Sequence, residues 1–359
     1  MFMNYIWRYI MPSPLYRYRA NRVLDWLTRH KVILSLAPPR LVYLELASVC
    51  NLRCQFCPTG VGRVGREPGF MKWETFKTVV DDLASIYPES FFHMWGESLL
   101  HPEFNRFVRY AKDHGFVEVF VNTNGNIDRD EKWFRELVAS GIDVLQVDID
   151  GNDQETYGKY RYNGKLELIF NFINNIQRIK SETNSKTPMI TPFIVVNEYN
   201  KEQLPDLRKR LNAMGLPDIK MRNIKNFIAR ENADSADSYS QFNARQSGFG
   251  GLVLLKQDDS SIRNQCEYKK VLACPSLWSY LHITSQGKYV PCCQSYNQED
   301  VLDSVDTIKP MAFWYSKRMR ALRRMNLDSP QDIPICRSCG FIRRRTSSSP
   351  VSPSSQIQE

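Results

Sequence analysis

The sequence lacks any apolar stretch approaching the roughly 18 to 20 residues of a membrane span. It also lacks a secretory signal: Met1 to Arg22 mixes aromatic and basic residues, without the basic start, apolar middle and small-residue end of a signal. With no export signal, the nine cysteines read better as metal ligands than as disulfides, and a cytoplasmic location is expected. A basic folded body is missing too. The net charge of +9 sits at the ends: residues 1–40 carry +6 and residues 309–359 carry +7, leaving 41–308 at −4. A nucleic-acid face would ordinarily be built on the folded body, so no nucleic-acid partner is expected. Basic ends suit solvated helix faces and a tail, or contact of the N-terminus with a membrane surface, or an acidic partner. At 359 residues the chain is long enough for a large core and two or three domains.

What is present begins with Cys50, Cys54 and Cys57, in the run Leu46-Ala-Ser-Val-Cys-Asn-Leu-Arg-Cys-Gln-Phe-Cys57. Thiolates are soft ligands suited to iron–sulfur clusters. Three on one short loop leave one iron of a four-iron cluster open to a small molecule. A zinc knuckle or three buried cysteines is the alternative, although zinc more often takes two separated ligand pairs. The apolar run Val42–Ala47 reads as a buried strand, so the cysteines would leave its carboxyl end, where α/β folds place their ligands.

This motif resembles the radical S-adenosylmethionine (radical SAM) family. The resemblance implies a [4Fe-4S] cluster whose open iron is chelated by SAM, and reductive cleavage of SAM to a 5′-deoxyadenosyl radical. Phe56 matches the aromatic that the family usually carries before the last cysteine.

Between residues 41 and 224, strand-like runs alternate with segments of helical period. The strand candidates are Val42–Ala47, Ser90–Trp95, Val117–Asn122, Asp143–Ile149, Met189–Val196 and Ile219–Ile224. Helix candidates are Lys72–Ser85, Pro102–His114, Asp130–Ser140, Leu166–Ser181 and Lys201–Met214. Repeated βα units imply a parallel sheet with right-handed crossovers. The expected fold class is α/β, a partial (β/α)6 TIM-like barrel with a small C-terminal α+β iron–sulfur domain. The expected organisation is an N-terminal helical extension (1–40, with a helix from Arg19 to Leu36), the barrel (41–224), a linker or insertion (225–270), the auxiliary domain (271–345) and a disordered tail (346–359).

The auxiliary domain rests on Cys274, Cys292, Cys336 and Cys339. Twelve residues separate Cys274 from Gly287 and four separate Gly287 from Cys292, and this spacing resembles the opening of SPASM and twitch extensions. The intervening stretch reads as a hairpin turning at Gln286-Gly287, and Cys336-x2-Cys339 closes a four-thiolate site. The further cysteine run of a full SPASM domain is missing, so the resemblance implies one auxiliary [4Fe-4S] cluster of the shorter twitch form. A structural zinc site is the alternative. The spacing favours Cys292 as ligand, with the adjacent Cys293 able to substitute, and Cys266 reads as a small buried hydrophobe or a substrate-side or redox residue.

His93-Met-Trp-Gly-Glu-Ser98 resembles the family's Gly-Gly-Glu-Pro segment, with Trp95 and Ser98 departing from it; Gly96 and Glu97 would hold the SAM amino group. Asn122 and Asn124, in Asn-Thr-Asn-Gly, resemble the family's Thr-Asn-Gly and would bond ribose hydroxyls. Asp148 and Asp150 alternate at the end of the fourth strand; they would contact SAM or substrate, or pair with Arg161 or Arg222. Catalytic candidates are Asp148, Tyr162 and Arg222, none within a specific motif.

The activity so implied is hydrogen abstraction from a small polar substrate, as in oxidation or rearrangement of a sugar or aminocyclitol, with a flavodoxin or ferredoxin as reductant. About 40 residues before the barrel are too few for a leader-peptide module, which argues against the alternative, a peptide or protein side-chain maturase. A reading of another class is a non-catalytic iron–sulfur or zinc-binding interaction protein.

Overall fold

A computed structural model describes residues 38–223, 274–337 and 339. The expected helix at Arg19 to Leu36, the linker 225–270 with Cys266, and the tail 346–359 lie outside these residues. Six parallel strands alternate with helices in the first part: β1 (Leu41–Leu44), α1 (Trp73–Leu83), β2 (Glu89–Phe91), α2 (Phe104–Asp113), β3 (Glu118–Thr123), α3 (Glu131–Ala139) and β4 (Val144–Asp148). There follow α4 (Gln154–Tyr160), α5 (Leu166–Thr183), β5 (Met189–Val196), α6 (Leu204–Ala213) and β6 (Lys220–Asn223). The second part is α7 (Pro275–Trp278), the hairpin β7 (Tyr280–Ile283) and β8 (Lys288–Val290), β9 (Asp303–Ser304), α8 (Pro310–Trp314), α9 (Lys317–Asp328) and α10 (Pro334–Arg337).

Periodicity explains which face each element buries. In α1 the buried residues are Phe76, Val79, Val80 and Leu83, and in α2 they are Phe104, Phe107, Val108 and Ala111, one stripe per helix. Asp130 and Asp153 cap α3 and α4 by accepting from the N–H groups of Trp133 (2.9 Å) and Thr156 (2.8 Å). Along β3, Val119, Val121 and Thr123 are buried beneath the helices, whereas Phe120 and Asn122 on the other face are only half-buried. The helix-covered face is therefore the core, and the inner face is half-open at Phe120 and Asn122 but closed at Tyr43, Gln146, Asp148 and His282. Fully buried Phe76, Phe92, Phe104 and Phe107 each contribute about 1.5–3 kcal/mol of burial energy to that core.

The C-terminal domain does not hang from the barrel as a separate unit. Strand β7 pairs in parallel with β1, from Leu41 opposite Tyr280 to Leu44 opposite Ile283. One nine-stranded sheet results, in the order β6-β5-β4-β3-β2-β1-β7-β8-β9. The edge that β1 would otherwise present is covered. The β7–β8 hairpin turns at the expected Gln286-Gly287.

Side chains lock this junction. Glu45, fully buried just past β1, accepts from Arg66 Nη1 (2.8 Å) and Nη2 (3.2 Å), from the Trp95 N–H (3.1 Å) and from the Ser285 N–H (3.0 Å). Arg66 Nη2 and Trp95 Nε1 both reach the Ser295 carbonyl, at 3.4 and 3.1 Å. Removing one member of a buried ion pair strands the other charge. Arg66→Met should therefore cost about 3–5 kcal/mol in anaerobic urea denaturation, and adding Glu45→Gln should recover a substantial part. A single variant as stable as wild type would show that the pair does not hold the junction.

Candidate active site

The cysteine loop leaves β1 and lies over the carboxyl ends of the strands. Cys54 is buried and Cys50 and Cys57 are half-buried; all three pack with Leu52, Phe56 and Tyr160. The Phe56 ring lies 6.2 Å from that of Tyr160. A Cβ on Gly60 would fall 2.3 Å from the Cys54 carbonyl oxygen, so the loop closes this tightly only with glycine there.

Donors are aimed at two of the sulfurs. Cys50 Sγ accepts from the Leu52 N–H (3.4 Å) and from Asn124 Nδ2 (3.7 Å), and Cys54 Sγ from Arg161 Nη1 (3.7 Å). Burial pushes the Cys50 thiol up to about 12 and raises that of Cys54. A buried thiol of this kind is released as thiolate when a metal takes the place of its proton. The donor set, three thiols with two of them half-buried, fits a cluster held by three cysteines.

The next loop is pressed against the first. Gly96 adopts φ 104°, and a Cβ there would meet the Ala47 oxygen at 2.4 Å. The Glu97 N–H donates to the Val49 carbonyl (2.8 Å). The Glu97 carboxylate faces inward and ties this loop to the end of β3: Oε1 accepts from the Leu99 N–H (3.1 Å) and Thr123 Oγ1 (3.0 Å), and Oε2 from the Asn124 N–H (2.8 Å). Burial outweighs these donors and pushes its pKa up to about 7.

Asn124 and Asn122 do different work. Asn124 Nδ2 reaches the cysteine loop at Asn51 Oδ1 (2.9 Å) as well as Cys50, whereas Asn122 Nδ2 donates to Asp148 Oδ1 (2.7 Å). Asp148 Oδ2 in turn accepts from Arg161 Nη2 (2.7 Å), and Asp150 Oδ2 from Arg161 Nε (2.5 Å). Both carboxylates thus take the pairing with Arg161, which is only 8% exposed and points its third nitrogen at Cys54.

The three catalytic candidates do not converge. Asp148 is in this network; Tyr162 is 64% exposed, its carbonyl accepting from the Arg53 N–H, and Arg222 is exposed on β6 with its guanidinium 5.6 Å from the Phe193 ring centre. Glu45 and Arg66 escaped the sequence reading. The available signal was a lone carboxylate inside the apolar run Val42–Ala47.

Cys274, Cys292, Cys336 and Cys339 come together from three segments. Cys274 and Cys339 each bear electrostatically on both Cys292 and Cys336, and burial pushes Cys274 up to about 11 and Cys336 up to about 12. The Cys274 N–H donates to Asn326 Oδ1 (3.3 Å) and the Cys339 N–H to the Cys336 carbonyl (3.1 Å). Cys293 packs with Leu41, Tyr43 and Tyr280 on the inner face and also bears electrostatically on Cys292.

Two family models match the chain: the radical SAM superfamily over residues 44–211 and the SPASM iron–sulfur cluster-binding domain over 274–340. The chain is a radical SAM protein with a C-terminal SPASM-type domain. The first domain implies a [4Fe-4S] cluster and SAM, and the second implies auxiliary iron–sulfur ligation.

Several curated relatives are similar in sequence, two of them as follows. The tungsten-containing aldehyde ferredoxin oxidoreductase cofactor-modifying protein of Pyrococcus furiosus is 30% identical over 52% of this chain and 51% of its own length. The AdoMet-dependent heme synthase of Methanosarcina barkeri is 33% identical over 34% of each. The chain thus spans about half the length of the first and about a third of the second. In fold it is similar to Streptococcus suis SuiB bound to the precursor peptide SuiA, with a TM-score of 0.59 at 14% identity, covering 93% of this chain and 76% of that one. Among the described residues no helix is long and apolar enough to cross a membrane.

Arg161 supplies a test of the site. Hydrogen bonds to ligand sulfur favour the reduced cluster. In Arg161→Met the midpoint potential of the cluster held by Cys50, Cys54 and Cys57 should move to more negative values in an EPR-monitored redox titration. Arg161→Lys should shift it less. Unchanged potential in a well-folded Arg161→Met protein would leave Arg161 a partner of the two aspartates only.

Proposed function

We propose that this chain binds SAM at the Cys50–Cys57 loop and abstracts hydrogen from a small polar substrate, such as a sugar or aminocyclitol, which is oxidised or rearranged inside the partial barrel. The observation that carries the reading is the three-cysteine loop set against the end of β3 and the Asp148–Arg161 network, with Asn124 and Arg161 reaching its sulfurs. When bound, the cluster and SAM supply a 5′-deoxyadenosyl radical. The protein's own residues do the rest. Asn122, Gln146 and Asp148 offer a polar wall along β3 and β4, with Asp148 held in place by Arg161 and Asn122. On the same inner face a row of side chains in register, His282, Tyr43, Phe91 and Phe120, sets a largely aromatic surface beside the polar one.

The names of the two curated relatives, a cofactor-modifying protein and a heme synthase, support a small-molecule substrate over a peptide. The peptide-bound fold neighbour keeps a second reading in view, a peptide or protein side-chain maturase.

Anaerobic protein reduced with dithionite should form 5′-deoxyadenosine from SAM, and Cys54→Ala should abolish it. Cleavage that persists in that variant would sink the assignment. Iron content should be about eight per chain if both sites hold four-iron clusters, falling to about four when Cys50, Cys54 and Cys57 are all replaced by Ala. Stoichiometric zinc in the triple variant would make the C-terminal site structural. Cys339→Ala should keep SAM cleavage but lose substrate turnover, with circular dichroism confirming the fold.

A further inference from the structure

Two imidazoles on the inner face take no part in the network that holds the thiols. His93, just past the end of β2, lies stacked on Phe91 with ring centres 5.4 Å apart, and beside Phe120 (5.7 Å) and Tyr43 (6.1 Å, edge-on). Its Nδ1 accepts from the Asn122 backbone N–H (3.1 Å). A backbone N–H can only donate, so Nδ1 carries no proton. Burial pushes the His93 pKa down to about 4, which leaves the ring neutral with its one proton on Nε2. Nε2 points to the other side of the ring, and among the described residues it has no partner. The side chain is thus a fixed, uncharged N–H donor.

The inner face is open at this residue. Phe91, His93, Phe120 and Asn122 are half-buried, whereas Tyr43 and His282 on one side and Gln146 and Asp148 on the other are buried. The four form a floor between closed flanks, aromatic at Phe91 and Phe120 and polar at His93 and Asn122. On the Tyr43 flank, His282 is 1% exposed and stacks on the Tyr43 ring at 4.8 Å, and neither of its ring nitrogens has a partner. A buried polar group left unpaired is unfavourable, and a hydroxyl arriving beside Tyr43 would satisfy it.

We propose that His93 and His282 anchor two hydroxyl oxygens of an uncharged cyclic polyol whose ring face rests on Phe91 and Phe120. The inference rests on the proposed function and narrows it: at this part of the face the substrate presents hydroxyls and no charge. Aromatic walls with a few placed polar groups are how small-molecule sites fix orientation. An anion would need a cation, and Arg161 is spent on Asp148 and Asp150. With Nδ1 engaged and Nε2 protonated, His93 holds its oxygen in place and moves no proton.

The test is a saturation-transfer NMR titration of the anaerobic holoprotein with myo-inositol. Asparagine keeps an acceptor where Nδ1 stands and has no donor at Nε2; glutamine keeps the donor and loses the acceptor. His93→Asn should therefore weaken binding about tenfold and His93→Gln about threefold or less. Equal binding by the two variants, with only His93→Gln melting early, would reduce His93 to a cap on the Asn122 N–H and overturn the proposal. His282→Phe keeps the stack on Tyr43 and removes the unpaired nitrogens, so it should bind about tenfold more weakly while melting at or above the wild-type temperature. Unchanged binding in His282→Phe, or no binding of myo-inositol to wild type, would also overturn it. Formation of 5′-deoxyadenosine by the wild-type samples reports separately on the proposed function: cleavage without myo-inositol binding sinks this inference alone.

Discussion

The buried carboxylate of Glu45 is the constraint on which the rest of the molecule depends. Taking a carboxylate out of water costs several kcal/mol, and only a full set of donors offsets it. Those donors come from three places: the Arg66 guanidinium beyond the cysteine loop, the Trp95 N–H in the loop after β2, and the Ser285 N–H at the end of β7. Satisfying one charge thus registers the cysteine loop, the Gly96–Glu97 loop and the C-terminal domain against one another. Trp95, which stands where the family has glycine, extends the same junction. Its indole reaches the Ser295 carbonyl and meets the Tyr296 ring edge-on at 5.5 Å. The departure from the motif therefore has a structural account, an anchor for the loop that follows Cys292 and Cys293.

A second buried network governs the thiols. Arg161 is clamped by two aspartates, so its remaining nitrogen has little choice but to face Cys54. Asp150 is in turn held by the Val195 N–H (2.6 Å), and Asp148 by Asn122. The cysteine loop, β3, β4 and β5 share this one set of charges. The fixed positive charge and the N–H donors on Cys50 stabilise thiolate character in a place where burial alone opposes it.

One shared sheet also joins the domain that carries the second cysteine set to the barrel by backbone pairing. Strand β7 is hydrogen-bonded to β1; Cys50 follows β1, while Cys274 precedes β7 and Cys292 follows β8. The inner face between them carries aromatic side chains in register, with Tyr43 stacked on His282 at 4.8 Å and 17°. His282 is buried with both ring nitrogens lacking a partner, and burial pushes its pKa down to about 3, so it stays neutral at physiological pH.

Much of this was legible from the chain itself. Hydrophobic period located six strands and five helices close to where they form, because local burial patterns depend on spacing alone. The cysteine spacings identified both iron–sulfur segments, and Gln286-Gly287 marked the hairpin turn. What spacing cannot convey is which distant segment supplies a partner. The pairing of β7 with β1, the donors around Glu45, the inward turn of Glu97 and the approach of Arg161 to Cys54 are contacts between residues far apart in sequence. Tyr162 and Arg222 show the reverse: residue types suited to chemistry, which tertiary packing left on the surface. The sequence by itself determined the chemistry available, since ligand type and local spacing are properties of short segments. Only the tertiary structure decided which charges meet, because burying a charge is tolerable only where the fold brings its counter-charges and donors from elsewhere in the chain.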